Sequence, residues 1–574
     1  MAKPAKKTAN GRHIGLQGWD TASVLQVATL DKLIRSQNKS PPSFDVTNKF
    51  NGTMKGTWGP WSVTPAPGIS GGNVAMTCPV RTGTLTLLNG VDVTLDGLVV
   101  HITVSLDAVP DPQSKLTDPT RKKTGSGKAE VQSLKADSTG TKAANPVTIT
   151  KITPQTLSDP TLALFTDWLN ANMAAFDAVF HTAVINEIAD VGAFQWLKPT
   201  GSLSYASTTD GAGDEVFAAL CMTDGRSSDD NAHQIDAGAA SNFPDGANSC
   251  LVISNERFVE KFLKTGAQLT MDGSKDGDFD IVGDDLIVTN NKPLLWRKVT
   301  LQDGSVASPT VPTGGMTLEV DEDRMILSFT GLTFEHSLLV GSDVLSMTFK
   351  QITYLSLGKN AKGEPVLTAT NRPAGTPPDK DVPTIDQFNI TVTPDRTARN
   401  FDEWMAIVGV AASLIGVGAF AKAGWAVRAG QEAIAAQGVR DYLAGTEAVI
   451  DVAMDADAAM DAIDGAELAE GNLAAAAAFT QGALPMSSAA IMNLEKLGKV
   501  AMLCSGVAGV AYGAHKIAEL VDSKGYIDMD KCPTMETFVA NALGCHAWPQ
   551  SKSWTLTHAE LAGSLLLFGQ LETE

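Results

Sequence analysis

Residues 98–106, Leu-Val-Val-His-Ile-Thr-Val-Ser-Leu, decide the fold. Leu98, Val100, Ile102, Val104 and Leu106 alternate with Val99, His101, Thr103 and Ser105. Successive side chains leave a strand on opposite faces, so this alternation predicts a strand with one apolar face. Upstream, Leu85, Leu87, Val91, Val93 and Leu95 belong to the same pattern, broken at Asn89-Gly90. That dipeptide is a hairpin signal, because both residues tolerate the positive φ of a tight turn. Period two thus runs from about Phe44 to Leu106. Residues 110–146 hold few large apolar side chains and read as a loop between long strands.

Downstream the period changes. Phe165, Trp168, Leu169, Met173, Phe176, Phe180, Val184 and Ile188 fall at three- and four-residue steps, which predicts a long amphipathic helix over 159–193. Asp159-Pro160 supplies its start signal. So aromatic a stripe must lie against a large apolar surface, the inner face of the sheet. Strand-like runs then return, among them GSLSYAS from Gly201, EVFAALCMT from Glu215, LSMTFKQITYLSL from Leu345 and QFNITVTPD from Gln387. Few helices intervene, so the sheet is expected to be antiparallel and strongly curved rather than parallel and doubly wound.

At Phe401 the composition shifts. Residues 402–522 are alanine-rich with a single proline, Pro485, which predicts an all-α block. Two uncharged segments bound it, Trp404–Ala421 and Val500–His515. Both sit near or below the roughly 20 residues needed to span a bilayer. They read either as a buried helical hairpin or as a hairpin able to enter a membrane. In the second case Trp404, Ile407, Leu414, Phe420, Trp425, Leu503 and Tyr512 are the candidate membrane contacts. Between them Asp457, Asp461 and Asp464 would crowd one helix face, and low pH would relieve that repulsion. After Ser523 the chain reads as strand again.

Forty-four Lys and Arg against 64 Asp and Glu leave a formal charge of −20, which repels phosphate backbones, so no nucleic-acid partner is expected. The six cysteines contain no C-x-x-C pair and read as buried free thiols. Residues 1–12 are polar and basic with no apolar run behind them. The expectation is synthesis in the cytoplasm without a Sec signal, with release by lysis or a dedicated route. Gly68-Ile69-Ser70-Gly71-Gly72 matches G-x-S-x-G but follows two prolines and precedes a strand-like run, the wrong context for a nucleophile elbow. Asp276, Asp278 and Asp280 imitate the start of a calcium loop, but Ile281 and Ile287 replace its Gly and Glu. Gly125-Ser126-Gly127-Lys128 lacks P-loop spacing. The histidines are isolated. No catalytic residue, metal site or cofactor is expected.

Several strings resemble the clostridial forty-seven-kilodalton protein family encoded beside botulinum neurotoxins, within the tubular lipid-binding (TULIP) superfamily. They are GWDTASVLQVATLDKLI from Gly18, WGPWSVTPAPGISGGNVAMTCPVRTG from Trp58, EVFAALCMT from Glu215, ANSCLVISNERFVEKFLKTG from Ala247 and WTLTHAELAGSLLLFGQL from Trp554. The resemblance covers 14–400 and 525–574, and leaves 401–524 as a helical insertion. It implies an α+β fold, long helices wrapped by strongly curved antiparallel sheets, enclosing an elongated apolar groove. It supplies no catalytic residues and implies a non-enzymatic, lipid-binding protein linked to a bacterial toxin or insecticidal system. The implied partners are a lipid or other elongated apolar ligand, a membrane surface and toxin-complex proteins. Phe165, Trp168, Leu169, Phe176 and Phe180 are the candidate groove lining, with plain core packing as the alternative. Two other functions stay open: a membrane-inserting toxin component acting through 402–522, or a packed scaffold binding only proteins.

Overall fold

The computed structural model describes residues 13–65, 72–112, 114, 130–137, 147–153, 159–185, 195–209, 215–228, 231–239, 243–296, 299–300, 306–307, 309–337, 342–359, 365–370, 385–393, 538, 542–543 and 545–573. The membrane-contact candidates from Trp404 to Tyr512, the alanine-rich block, Gly68–Gly71 and Gly125–Lys128 lie outside these residues. The chain divides into two units, residues 1–255 with 534–574, and residues 256–533. Every pairing between the named strands is antiparallel, with one parallel bridge between Ile14 and Gly563. The fold is therefore α+β and dominated by antiparallel sheet.

In the first unit, Val99–Val104 is a strand with Val100, Ile102 and Val104 buried, as its alternation predicts. It pairs with Val74–Thr86, a 13-residue strand that also pairs with Gly52–Trp58, Ser62–Val63 and Asp92–Thr94. Its first half pairs with Val99–Val104 and its second half with Gly52–Trp58. The change of ladder near Pro79-Val80 and the bulge at Thr57/Trp58 bend the sheet. Ser43–Asn48 closes this sheet on the far side of Gly52–Trp58. The Asn89-Gly90 hairpin is present, with Thr86 opposite Asp92 and Gly90 at φ 80°.

A six-stranded sheet sets Glu215–Thr223, Thr21–Gln26 and Ser249–Ile253 side by side, with Ser564–Thr573 and Ser551–Ala562 beyond. Every residue of Glu215–Thr223 is buried, so this sheet is covered on both faces. Leu25, Phe217, Ala219 and Cys221 face an aromatic core. Val24, Val216, Ala218, Leu220 and Met222 face a second, mostly aliphatic core with Ile14, Leu16 and Trp19. Helix α1 (Val27–Ser36) buries Val27, Leu30, Leu33 and Ile34 in the aromatic core.

The helix expected over 159–193 is shorter. Helix α2 spans Asp159–Asn172, a 3-10 turn follows at Met173–Ala175, and Val179–Ile185 is a strand. The side chains of Asn170 and Asn172 donate back to the carbonyls of Thr166 and Trp168 at 3.0 and 2.8 Å, competing with the backbone for the i−4 acceptors near the helix end. The spacing Phe176, Phe180, Val184 misleads because four residues return a side chain to the same face in a strand as well as in a helix. Val179, Thr182, Val184 and Ile185 are β-branched, which favours the strand. The long helices implied by the resemblance are accordingly not seen among the described residues: α2 has 14 residues and α1 has 10.

In the second unit, Arg324–Ser337 pairs with the 18-residue strand Ser342–Lys359, which in turn pairs with Pro365–Thr370 and Ile385–Thr393. A helical stretch over Asn255–Phe258, Val259–Leu263 and Lys264–Thr270 contains a π-turn in its middle and stacks Phe258 on Phe262 at 5.1 Å.

Candidate functional site

The aromatic core is the candidate site. Helix α2 supplies Phe165, Trp168 and Leu169 from one stripe, and all three are buried. Phe44 and Trp58 meet them from the neighbouring strands: Phe44 lies 5.5 Å from Phe165, and Trp58 lies 5.5 Å from both Phe165 and Trp168. Trp61 meets Trp58 edge-on at 5.6 Å and Phe176 at 5.0 Å. From Phe176 the rings continue to Phe180 at 6.4 Å, to Phe217 at 6.0 Å and to Tyr205 stacked at 6.0 Å. Trp548 meets Phe217 at 6.1 Å and covers His181 at 4.4 Å. The five sequence-predicted residues therefore come together in one core, each buried, with their four rings linked through Phe44, Trp58 and Trp61. Such pairs are each worth about 0.5–1.5 kcal/mol beyond the area they bury.

Several polar atoms in this region are buried and have no hydrogen-bond partner: Trp58 Nε1, Trp61 Nε1, His181 Nδ1, Thr161 Oγ1 of α2, and Thr21 Oγ1. Thr21 stands opposite Cys221, on the aromatic side of its strand. A buried donor left unpaired costs roughly 1–3 kcal/mol, so each is a place where an incoming acceptor would be favoured. Tyr205 differs. Its hydroxyl accepts from Leu106 N at 2.6 Å and donates to Gly72 O at 2.5 Å, and burial pushes its pKa up to about 12.

A polar cluster closes the other end of the ring path. His181 Nε2 and His546 Nδ1 are 3.0 Å apart, and Lys198 Nζ donates to Cys545 Sγ at 2.9 Å. Residues His546–Ala547 pair with Thr182–Ala183, which places the two imidazoles on adjacent strands. Burial, and secondarily the neighbouring His546, holds His181 well below the ordinary histidine range. Burial and then Lys198 bring His546 down to about 4. Both rings are neutral near pH 7.

The other sequence motifs carry no site. Asp278 accepts from Lys292 Nζ at 2.7 Å and from Lys275 N at 2.9 Å, contacts that lower its pKa, and Phe279–Val282 pairs with Ile287–Asn290 as a plain hairpin. Among the described residues no group of three or more His, Cys, Asp or Glu could hold a metal ion. Cys78, Cys221, Cys250 and Cys545 are buried and outside any disulfide. No described helix is long and apolar enough to cross a membrane. Sequence reasoning missed Trp58, Trp61, Phe44, Phe217, Trp548 and the two histidines. Only the Trp-Gly-Pro-Trp string at 58–61, with two indoles three residues apart, offered a signal.

The family described as OrfX-like, Protein OrfX2/OrfX3/P47, matches residues 16–455. Protein OrfX3 of Clostridium botulinum (strain Kyoto / Type A2) is 25% identical over 293 residues, covering 46% of this chain and 56% of the relative. Protein OrfX3 of Paraclostridium bifermentans is 23% identical over 300 residues, covering 47% of this chain and 58% of the relative. The chain thus spans little more than half the length of the curated relatives it matches. P47 of Clostridium botulinum E1 superposes with a TM-score of 0.53 at 12% identity, covering 98% of this chain and 100% of that one, a likeness of fold.

Proposed function

This chain belongs to the OrfX-like family, and from that premise we propose that it is a non-enzymatic binder of an acyl lipid or similarly elongated apolar ligand, acting within a bacterial toxin or insecticidal system. The observation that carries the reading is the pair of buried, unpartnered indole N–H groups of Trp58 and Trp61, set in an otherwise apolar core. A ligand with an apolar body and an ester or carboxylate oxygen answers both features. Its chain would intercalate among Phe165, Trp168, Leu169, Phe176 and Phe180, and its oxygen would accept from the two indoles. Each buried methylene supplies about 0.8 kcal/mol before entropy costs. The rings are in mutual contact, so entry requires α2 to lift from Gly52–Trp58 and Ser43–Asn48. No proton transfer or nucleophile enters this function.

Native mass spectrometry of the full chain, followed by organic extraction, tests it. A stoichiometric acyl lipid is expected. Trp58→Phe with Trp61→Phe should weaken its retention about thirtyfold, the value of two lost hydrogen bonds of about 1 kcal/mol each. A bare chain mass that stays bare after incubation with lipid vesicles would overturn the proposal.

A further inference from the structure

The buried polar cluster of the first unit has no part in holding a lipid. Lys198 follows the 3-10 turn at Gln195–Leu197 and precedes the strand Pro199–Thr209, with 7% of its surface exposed. Its Nζ donates to the sulfur of Cys545 at 2.9 Å, across 347 positions of sequence. Cys545 is fully buried, and its carbonyl accepts from Val184 N at 2.8 Å, which fixes the backbone that carries the sulfur. Burying an ammonium is costly unless a negative group meets it, and a thiolate is such a group.

Other buried cysteines are placed differently. Cys78 lies among the apolar side chains of the aromatic core, and burial pushes its thiol well up. Cys250 Sγ lies 3.6 Å from the carbonyl oxygen of Leu251, to which it donates. Such surroundings keep a thiol protonated and inert, whereas a cation at the sulfur favours the thiolate, the form that attacks oxidants. In the same cluster His181 Nδ1 is buried without a hydrogen-bond partner, so a small polar molecule that enters finds a group to bond. The strand that follows Cys545, His546–Ala547, pairs along only two residues with Thr182–Ala183, so brief local opening admits a molecule little larger than water.

We propose that Lys198 and Cys545 form an oxidation site whose oxidant is a hydroperoxide and whose product is a covalent S–N bridge, a sulfenamide. The Cys545 thiolate attacks one oxygen of hydrogen peroxide: an S–O bond forms, the O–O bond breaks and hydroxide leaves. That hydroxide takes a proton from the Lys198 ammonium, giving water and a neutral amine. Oxidation has by then removed the negative charge at the sulfur, and burial favours the neutral amine. The Nζ lone pair attacks the sulfur, an S–N bond forms, the S–O bond breaks, and the departing hydroxyl leaves as a second water with one proton from Nζ. One peroxide is thus reduced to two waters as the sulfur gives up two electrons. The Nζ–Sγ separation of 2.9 Å already lies within the roughly 3–3.5 Å of a near-attack arrangement. Closed, the bridge ties the start of Pro199–Thr209 to the segment whose Trp548 covers His181 and meets Phe217.

Peptide mapping by mass spectrometry, after exposure of the full chain to hydrogen peroxide, tests it. The expected product is a peptide pair joined between Lys198 and Cys545, lighter than its two parts by two hydrogens and parted again by dithiothreitol. Cys545 should react at least about tenfold faster than Cys78 or Cys250. Lys198→Arg keeps a cation but no amine able to condense, so Cys545 should then stop at a sulfenic acid that dimedone labels. The wild-type map decides the matter even if that variant does not fold. The proposal is overturned if Cys545 reacts no faster than Cys78, as for an inert buried thiol. It is overturned equally if oxidised Cys545 is found joined to Cys221 as a disulfide, or as a sulfinic acid with Lys198 unmodified.

Discussion

The six-stranded sheet of the first unit has two buried faces, and they are finished differently. On the aliphatic face, the polar groups have partners. Trp19 Nε1 donates to Ala232 O at 2.8 Å, and Asp236 accepts from Gly15 N at 2.6 Å. At the end of the sheet, Asp20 accepts from Thr223 N at 2.8 Å, from Thr223 Oγ1 at 3.0 Å and from Arg226 at 2.5 Å. On the aromatic face, the indoles of Trp58 and Trp61 and a histidine nitrogen are left unpaired. Polar atoms that have partners serve stability, whereas donors left open keep free energy for something that binds.

The largest test of this contrast is Asp20→Ala. It strands the buried backbone and hydroxyl of Thr223, and should cost about 2–5 kcal/mol in denaturant unfolding. If the loss is under about 1 kcal/mol, the sheet owes little to its paired polar groups.

Acid should act on the aromatic face next. His181 and His546 are held below their ordinary pKa, so the unfolded chain binds protons that the folded chain refuses. Stability is therefore complete above about pH 6.5 and falls as pH drops from there toward 4, by a few kcal/mol. Unfolding midpoints from pH 7.5 to 4.5 would show the slope. His546→Gln should flatten it, and an unchanged slope would place the acid sensitivity elsewhere.

The smallest effect is the sharpest comparison. Trp19→Phe removes a made hydrogen bond and part of a buried ring, so it should cost about 1–2 kcal/mol. Trp61→Phe loses the same ring volume but only an unpaired donor, so it should cost about 1 kcal/mol less than Trp19→Phe. Equal losses at the two positions would erase the distinction between the faces.

Much of the sheet was legible in the residues, because alternation at Leu98–Leu106 and the Asn89-Gly90 turn are local signals. The aromatic stripe was legible as a set: Phe165, Trp168, Leu169, Phe176 and Phe180 do share one core. Its continuity was not, since helix gives way to strand between Phe176 and Phe180 and the four-residue spacing fits both. The partners of that stripe were hidden for another reason. Phe44, Trp58, Phe217 and Trp548 reach it from strands distant in sequence, and only pairing register brings them in. The histidine pair spans 365 positions, a separation that no spacing rule can detect.

The pairing of Ser249–Ile253 with Ser564–Thr573 also bears on how the molecule is made. Until residue 573 has left the ribosome, the edge of Ser249–Ile253 has no strand to receive it on that side. The five residues of that strand are all destined for burial. During synthesis the nascent first unit must therefore wait with an open, apolar sheet edge, the kind of surface on which chains aggregate or recruit chaperones. Closure over so long a loop is also slow, so the yield of folded protein should depend on the speed of translation and on temperature more than its final stability would suggest.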